Sequence, residues 1–393
     1  MWTRRRFLEV SGAVLAPLAR GAASRRATPD VRLFLAGDVM TGRGIDQVLP
    51  HPSQPTIYEP YMSSALGYLD LAEQAHGAIP RPASFPYAWG DALPALQERS
   101  PDLRIVNLET SVTTSGAAAP KGINYRMHPK NVPCLAAAGL DCCVLSNNHV
   151  LDWGEAGLLE TMDTLEHAGI ATAGAGRNAE AACRPATLAA GASRVLVFGL
   201  CSPDSGISEG WAAAAGRPGL HRLPDLSART ADRFAEQVGA WRRPGDRVVV
   251  SIHWGGNWGY AVPRDQREFA HRLVDAAAAD VVHGHSSHHP KGIEVYGGRL
   301  VLYGCGDFID DYEGISGHEE FRSHLVLGYF AALDAETGRL LALEMAPFRI
   351  RRFRLERAGA EEREWLRRTL DRECHALGTA LEATADGLAL RWA

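Results

Sequence analysis

The chain has 393 residues, 46% hydrophobic and 22% charged, with 41 Lys and Arg against 46 Asp and Glu for a formal net charge of -5 at pH 7. That balance excludes a disordered chain, and without a basic block beyond the first few residues a nucleic-acid or membrane-surface role has no electrostatic support. A packed globular protein acting on a small molecule or a polymer is expected.

The first thirty residues stand apart. TRRRFLE, from Thr3 to Glu9, precedes the short apolar run VSGAVLAPLA and the small-residue stretch GAAS. About twenty apolar residues are needed to cross a bilayer, so residues 1–27 read as an export signal, with cleavage near Ala23, rather than as a membrane span. The paired arginines before Phe7 and Leu8 resemble the twin-arginine signal, with Glu9 in place of the usual basic residue. The expected location is therefore periplasmic or cell-surface, reached by a route that carries proteins already folded.

VRLFLAGD (31–38) follows as an apolar run ending in Gly-Asp, the pattern of a buried strand whose end meets a polar loop. The pattern recurs in DLRIVNLE (102–109), LDCCVLSNNH (140–149), RVLVFGL (194–200), RVVVSIHW (247–254), ADVVHGH (279–285) and RLVLYGCGD (299–307). Between them ALPALQER (92–99) and residues 155–169, 227–243 and 265–279 carry helical periodicity. Alternating strands and helices predict an α/β architecture with a largely parallel core. Residues 324–353 add strands around the turn DAETG, which makes the sheet mixed, and residues 354–393 read as a helical segment closing the same domain (30–353).

In such sheets ligands collect beyond the carboxyl ends of the strands. Those ends carry Asp38, Glu109, Asn148, His253, His285 and His288, which offer carboxylate oxygen, amide oxygen and imidazole nitrogen. The loop HGHSSHH (283–289) alone holds four of the fifteen histidines. Mixed oxygen and nitrogen donors without thiolate suit Mn, Zn or Fe. Six donors exceed the needs of one four-coordinate ion, so two divalent ions about 3.5–4 Å apart, sharing a carboxylate, are the natural reading. The cysteines, Cys134, Cys142, Cys143, Cys183, Cys201, Cys305 and Cys374, are odd in number and form no CxxC pair, so they leave the redox compartment open.

At these residues the sequence resembles the CapA family of poly-γ-glutamate capsule biosynthesis proteins. The matching stretches are GDVMTGRGID, RIVNLETSVT, KGINYRMHP, LSNNHVLDWGEAGL, SIHWGGNW, GHSSHHPKGIEVY and LYGCGDFIDDY, in order over roughly residues 31–330. The resemblance implies the fold of the calcineurin-like metallophosphoesterases, a four-layer α/β/β/α sandwich with mixed sheets. It also implies roles. Asp38 corresponds to the first-strand ligand, Glu109 to the bridging carboxylate and Asn148 to the amide ligand, with His253, His285 and His288 completing the shells. His149 looks like the non-ligand histidine that protonates a leaving group, with Asp152 as its orienting partner. Two departures stand out: Met40 occupies the place of a His ligand, and the GHxH spacing is stretched to His285 and His288.

Asp307, after the GCG turn, is a candidate to hold a ligand histidine by a hydrogen bond, with turn capping as an equal contender. Lys121, Lys130 and Lys291 are the only lysines beside 38 arginines, and all three fall in the motif blocks. Lys121, Lys291, Arg43 and Arg126 are therefore candidates to bind an anionic substrate. The expectation is metal-dependent hydrolysis of a phosphoester or γ-glutamyl amide while an anionic polymer is made, trimmed or exported. Two alternatives stay open: an assembly or export subunit of a membrane-bound polymer synthase without turnover, and an epimerase that removes a proton beside a metal-polarised carbonyl.

Overall fold

The structure is a computed structural model that describes residues 30–393; the export-signal expectation for 1–27 lies outside the described residues. The main strands are β1 (Val31–Val39), β2 (Leu103–Leu108), β3 (Cys142–Val144), β4 (Ala171–Ala173), β5 (Ala186–Ala190), β6 (Ser193–Cys201), β7 (Arg247–His253) and β8 (Val281–His285). They continue with β9 (Ile293–Tyr296), β10 (Arg299–Leu302), β11 (Asp307–Ile309), β12 (Leu325–Leu333), β13 (Leu340–Arg351), β14 (Arg354–Arg357), β15 (Thr379–Ala383) and β16 (Leu388–Trp392). The main helices are α1 (Ala92–Arg99), α2 (Gly154–His167), α3 (Ala228–Trp241), α4 (Arg264–Asp275) and α5 (Ala360–His375).

Alternation along the strands builds the layers. Val31, Leu33 and Leu35 of β1 face one core while Phe34 and Ala36 face another. In β6, Val195 and Val197 join Leu33 and Leu35, whereas Leu196, Phe198 and Leu200 face the opposite side. Three cores result. One lies between the two sheets; one packs Leu158, Met162 and Leu165 of α2 against the first sheet; one packs Phe234 of α3 and Phe269 of α4 against the second. Strands buried on both faces read as continuous apolar runs, which is why they were visible in the sequence. The result is the four-layer α/β/β/α sandwich.

The first sheet runs β15-β16-β13-β12-β1-β2-β3-β4, with β11 paired to the end of β1 and β14 to β13. The second runs β5-β6-β7-β8-β10-β9. β1, β2, β3 and β4 are mutually parallel, as are β6, β7, β8 and β10. Antiparallel β12 and β13 meet at the turn after Leu333, where the Asp334 side chain accepts from the amides of Glu336 and Thr337.

The C-terminal segment corrects the sequence reading. Its helix ends at His375, and β15 and β16 form a hairpin that extends the first sheet through β13. Leu366 and Leu370 of α5, with Leu381, Leu388 and Leu390 of the hairpin, enter the core between the sheets. The alternation in Thr379–Ala383 spans only five residues, too short to override the strong helical period before it. Among the described residues no helix is long and apolar enough to cross a membrane.

Candidate metal centre

Strand register sets the site. In β1, Asp38 lies level with Asn107 of β2 and with Asp307 of β11. In the second sheet Cys201, His253 and His285 lie level across β6, β7 and β8. The carboxyl ends of both sheets thus point their polar side chains at one rim. Gly37 makes the approach feasible: a Cβ there would sit 1.8 Å from the Gly306 carbonyl oxygen, the atom that accepts from the Asp38 amide at 3.1 Å. The glycine before Asp38 is a requirement of close backbone contact.

Two groups of donor atoms form, in each of which all atoms lie within 4.8 Å of one another: Asp38, His253 and His285, and Asp38, His288 and Asp307. The Nδ1 atoms of His253 and His285 face each other at 2.9 Å, and Asp38 Oδ1 is 3.7 Å from His285 Nδ1. His288 Nδ1 meets Asp307 Oδ1 at 2.9 Å. The carboxylate common to both groups is Asp38. Glu109 stands to one side, its Oε1 4.0 Å from His253 Nε2 and 3.9 Å from His149 Nε2. Asp307 is thus a member of a donor group as well as the hydrogen-bond partner of His288.

Buried polar atoms normally have partners. Here Glu109 Oε2, Asn148 Oδ1 and Asp307 Oδ2 are buried and have none. Burial, reinforced by the charge of Asp307, pushes the Asp38 carboxyl up to about 7. Burial and the charges of Asp38 and Asp307 likewise hold Glu109 well above the carboxylate range. His253 and His285 are held well below the usual imidazole value by burial and by neighbouring histidines, so both present lone pairs. His288 goes the other way: burial alone would lower it, but the charge and hydrogen bond of Asp307 raise it. Crowded carboxylates short of positive charge, neutral imidazoles and partnerless oxygens fit a divalent cation.

His149 is fixed independently. Its Nδ1 lies 2.7 Å from Asp152 Oδ2, its ring stacks on Tyr125 with centroids 3.8 Å apart, and its backbone amide donates to Asn147 Oδ1 at 3.0 Å. Nε2 is left facing Glu109. Burial pushes the imidazole down to about 4 despite the pull of Asp152.

The basic candidates divide. Lys121 reaches the site: Nζ is 2.8 Å from Asp152 Oδ1 and 3.4 Å from His149 Nδ1, and it donates to the Asn148 carbonyl. Arg43, Arg126 and Lys291 are corrections. Arg43 is 3% exposed and spends its guanidinium on Glu59 and Asp311, beneath the rings of Tyr68 and Tyr125. Arg126 lies 3.9 Å over Trp153 and donates to the carbonyls of Ser115 and Gln54. Lys291 is buried and donates to the Ala261 carbonyl at 3.0 Å. Arg43 has no free edge for a substrate, and Arg126 and Lys291 are engaged with backbone carbonyls and an aromatic ring rather than with the donor groups.

Sequence reasoning passed over the residues that hold this array. Asn107 Nδ2 donates to Asp38 Oδ1 at 2.7 Å, Asn147 Nδ2 donates to Asn107 Oδ1 at 3.1 Å, and the Ser286 amide donates to Asp38 Oδ2 at 3.2 Å. Tyr125 and Tyr312, joined through their hydroxyls at 2.7 Å, wall the side nearest His149 and His288. The doubled Asn in SNNH was a usable signal. The tyrosines, more than 180 residues apart, offered none.

A four-layer α/β/β/α sandwich with oxygen and nitrogen donors gathered at its strand ends is a metallophosphoesterase-like fold. The family described as bacterial capsule synthesis protein PGA_cap matches residues 32–312, and the chain belongs to that family. It is 48% identical over 364 residues, 92% of this chain and 96% of the relative, to a probable polyglutamine synthesis accessory protein of Mycobacterium tuberculosis. It is 27% identical over 219 residues, 54% of each chain, to the PGA biosynthesis protein CapA of Bacillus subtilis.

Proposed function

We propose that the protein is an exported, metal-dependent hydrolase acting on a phosphoester or γ-glutamyl amide during synthesis of an anionic glutamate polymer. The process is taken from the relatives' names. The reaction is argued from one observation: three buried carboxylates and three imidazoles gather at one rim, with oxygens of Glu109 and Asp307 left partnerless.

Asp38, His253 and His285 would hold one divalent ion, and Asp38, His288 and Asp307 a second, with Glu109 and Asn148 supplying further oxygens. When bound, such ions supply Lewis acidity, lowering the pKa of water and polarising a substrate oxygen. The chain's own part is proton management and orientation. With Nδ1 directed at Asp152, His149 exchanges a proton with substrate only at Nε2. Burial keeps the ring neutral before substrate arrives. An anion opposite Nε2 favours the charged ring, so a substrate dianion recruits the proton later given to the leaving group. Lys121 steadies the Asp152 carboxylate from the other side.

Elemental analysis of the purified protein tests the reading. Stoichiometric Mn, Zn or Fe in the wild type and its loss in Asp38→Asn are expected, followed by metal-dependent turnover in a screen of phosphoesters and γ-glutamyl peptides. Protein that stays metal-free after reconstitution overturns it.

The word accessory in the name of the 48% identical relative favours a second reading, a subunit of a membrane-bound synthase that binds metal without turnover. Polymer production left intact by His149→Ala would select it.

A further inference from the structure

The strands that bring His253 and His285 to the metal rim begin, at the opposite pole, among arginines. Arg247 opens β7, Asp280 immediately precedes β8, and Arg299 opens β10. The buried carboxylate of Asp280 accepts from Arg242 Nη2 at 2.9 Å and from the Val248 amide at 2.8 Å. Its other oxygen lies 3.5 Å from Arg299 Nη1 and 3.9 Å from Arg247 Nη1. Arg339 covers Gly298, where a Cβ would lie 2.7 Å from the guanidinium carbon.

The remaining acidic groups nearby are committed. Asp246 is taken by Arg194 at 2.8 Å and by the Arg243 amide, and Asp334 by the amides of its own turn. Among the described residues, Asp280 is therefore the single carboxylate within ion-pair distance of Arg242, Arg247 and Arg299, and Arg339 has no acidic partner. Three guanidinium groups share one carboxylate, and a fourth, that of Arg339, adds its charge beside them. Arg247 is 3% exposed, and its Nε, Arg299 Nη1 and the Asp280 Oδ1 that faces them are all buried without a hydrogen bond, so the cluster is held by charge rather than by close pairing.

We propose that Arg242, Arg247, Arg299 and Arg339 form an anion site remote from the metal centre, built for an oxyanion, either a phosphate or the carboxylate of a glutamate chain. Backbone carbonyls take part of the donors, Ala277 and Asp246 from Arg242 and Glu336 from Arg247, but carbonyls carry no charge; the surplus positive charge is costly in a partly desolvated setting, and an oxyanion would offset it. Burial, opposed by the charge of Asp280 and reinforced by those of Arg242, Arg247 and Arg339, holds Arg299 below its usual value. Arg242 and Arg299 keep 21% and 20% of their side chains exposed, so the cluster opens to solvent.

Calorimetric titration of the full chain decides the matter, at constant ionic strength and with a chelator present so that the metal centre captures no phosphate. The probes are inorganic phosphate and a short γ-linked glutamate oligomer. Saturable binding of at least one is expected, weakened by about tenfold or more in Arg299→Gln/Arg339→Gln and unchanged in Arg194→Gln. Binding of phosphate alone identifies a compact oxyanion, and binding of the oligomer a carboxylate chain. Absence of binding beyond a chloride control, or equal affinity in the double variant, overturns the proposal. Arg339→Gln, at an exposed side chain, repeats the test without disturbing a buried pair. Failure here leaves the metal reading intact, because the two sites share no residue.

Discussion

Asp152 grips His149 at Nδ1, 2.7 Å from oxygen to nitrogen, and so leaves Nε2 as the ring's free nitrogen, facing Glu109. Asp152 also accepts from the Tyr125 amide at 2.6 Å, which ties the dyad to the ring stacked on His149. Replacing Asp152 by Asn keeps the size and removes the charge that orients the imidazole. Turnover should fall by about 100-fold or more while metal content stays at the wild-type level. Steady-state kinetics paired with elemental analysis checks this, and a parallel loss of metal would instead make Asp152 part of the cation's own support.

Removing metal should make stability depend on pH in an unusual direction. The folded Asp38 carboxyl, pushed up to about 7 from an ordinary 3.8, binds more protons than the unfolded one between those values. Its contribution is fully present below pH 3.8 and is lost as pH rises through about 7. The loss is on the order of 4 kcal/mol at most for Asp38 alone. Chelated protein should therefore denature more easily at pH 7.5 than at pH 5.5, with Mn or Zn abolishing the difference. Urea titrations at the two pH values, with and without metal, provide the measurement.

Arg43 should matter for folding rather than for substrate capture. Arg43→Gln leaves the buried carboxylates of Glu59 and Asp311 without their cation, a change that costs about 3–5 kcal/mol when a buried pair is broken from one side. Chemical denaturation should show that loss. A variant of normal stability with raised KM would return Arg43 to the substrate site.

His221 carries a separate pH signature. Its Nδ1 is buried without a partner, and burial pushes the imidazole down to about 4. Between pH 6.5 and about 4 the unfolded chain binds the extra proton, so stability is complete above 6.5 and falls as the pH drops toward 4. The residue keeps some exposed surface, so a loss of about 2–3 kcal/mol is the upper range. In His221→Gln the slope of unfolding free energy against pH should flatten across that window.

The buried parallel strands were plain in the sequence because a strand covered on both faces must be apolar throughout, and each such run ended in a polar cluster that the parallel register placed at one rim. Short alternating segments carried no comparable mark: β15, β16 and the edge strand β5 become strands because a neighbour offers hydrogen bonds. Arg43 and Lys121 show the same limit among side chains. Both lie in motif blocks, yet one is locked between two acids and the other reaches His149.

Residue type and order alone determined the α/β class, the family resemblance and the donor atoms available to a cation. Three things were settled only when the chain folded: that Asp38 is shared by both donor groups, that Asp307 joins one of them, and that Arg43, Arg126 and Lys291 are spent on structure. A side chain's chemistry is local and can be read from its letter. Its free valence depends on which partners from distant strands have already taken its hydrogen bonds, and that is a property of three-dimensional packing.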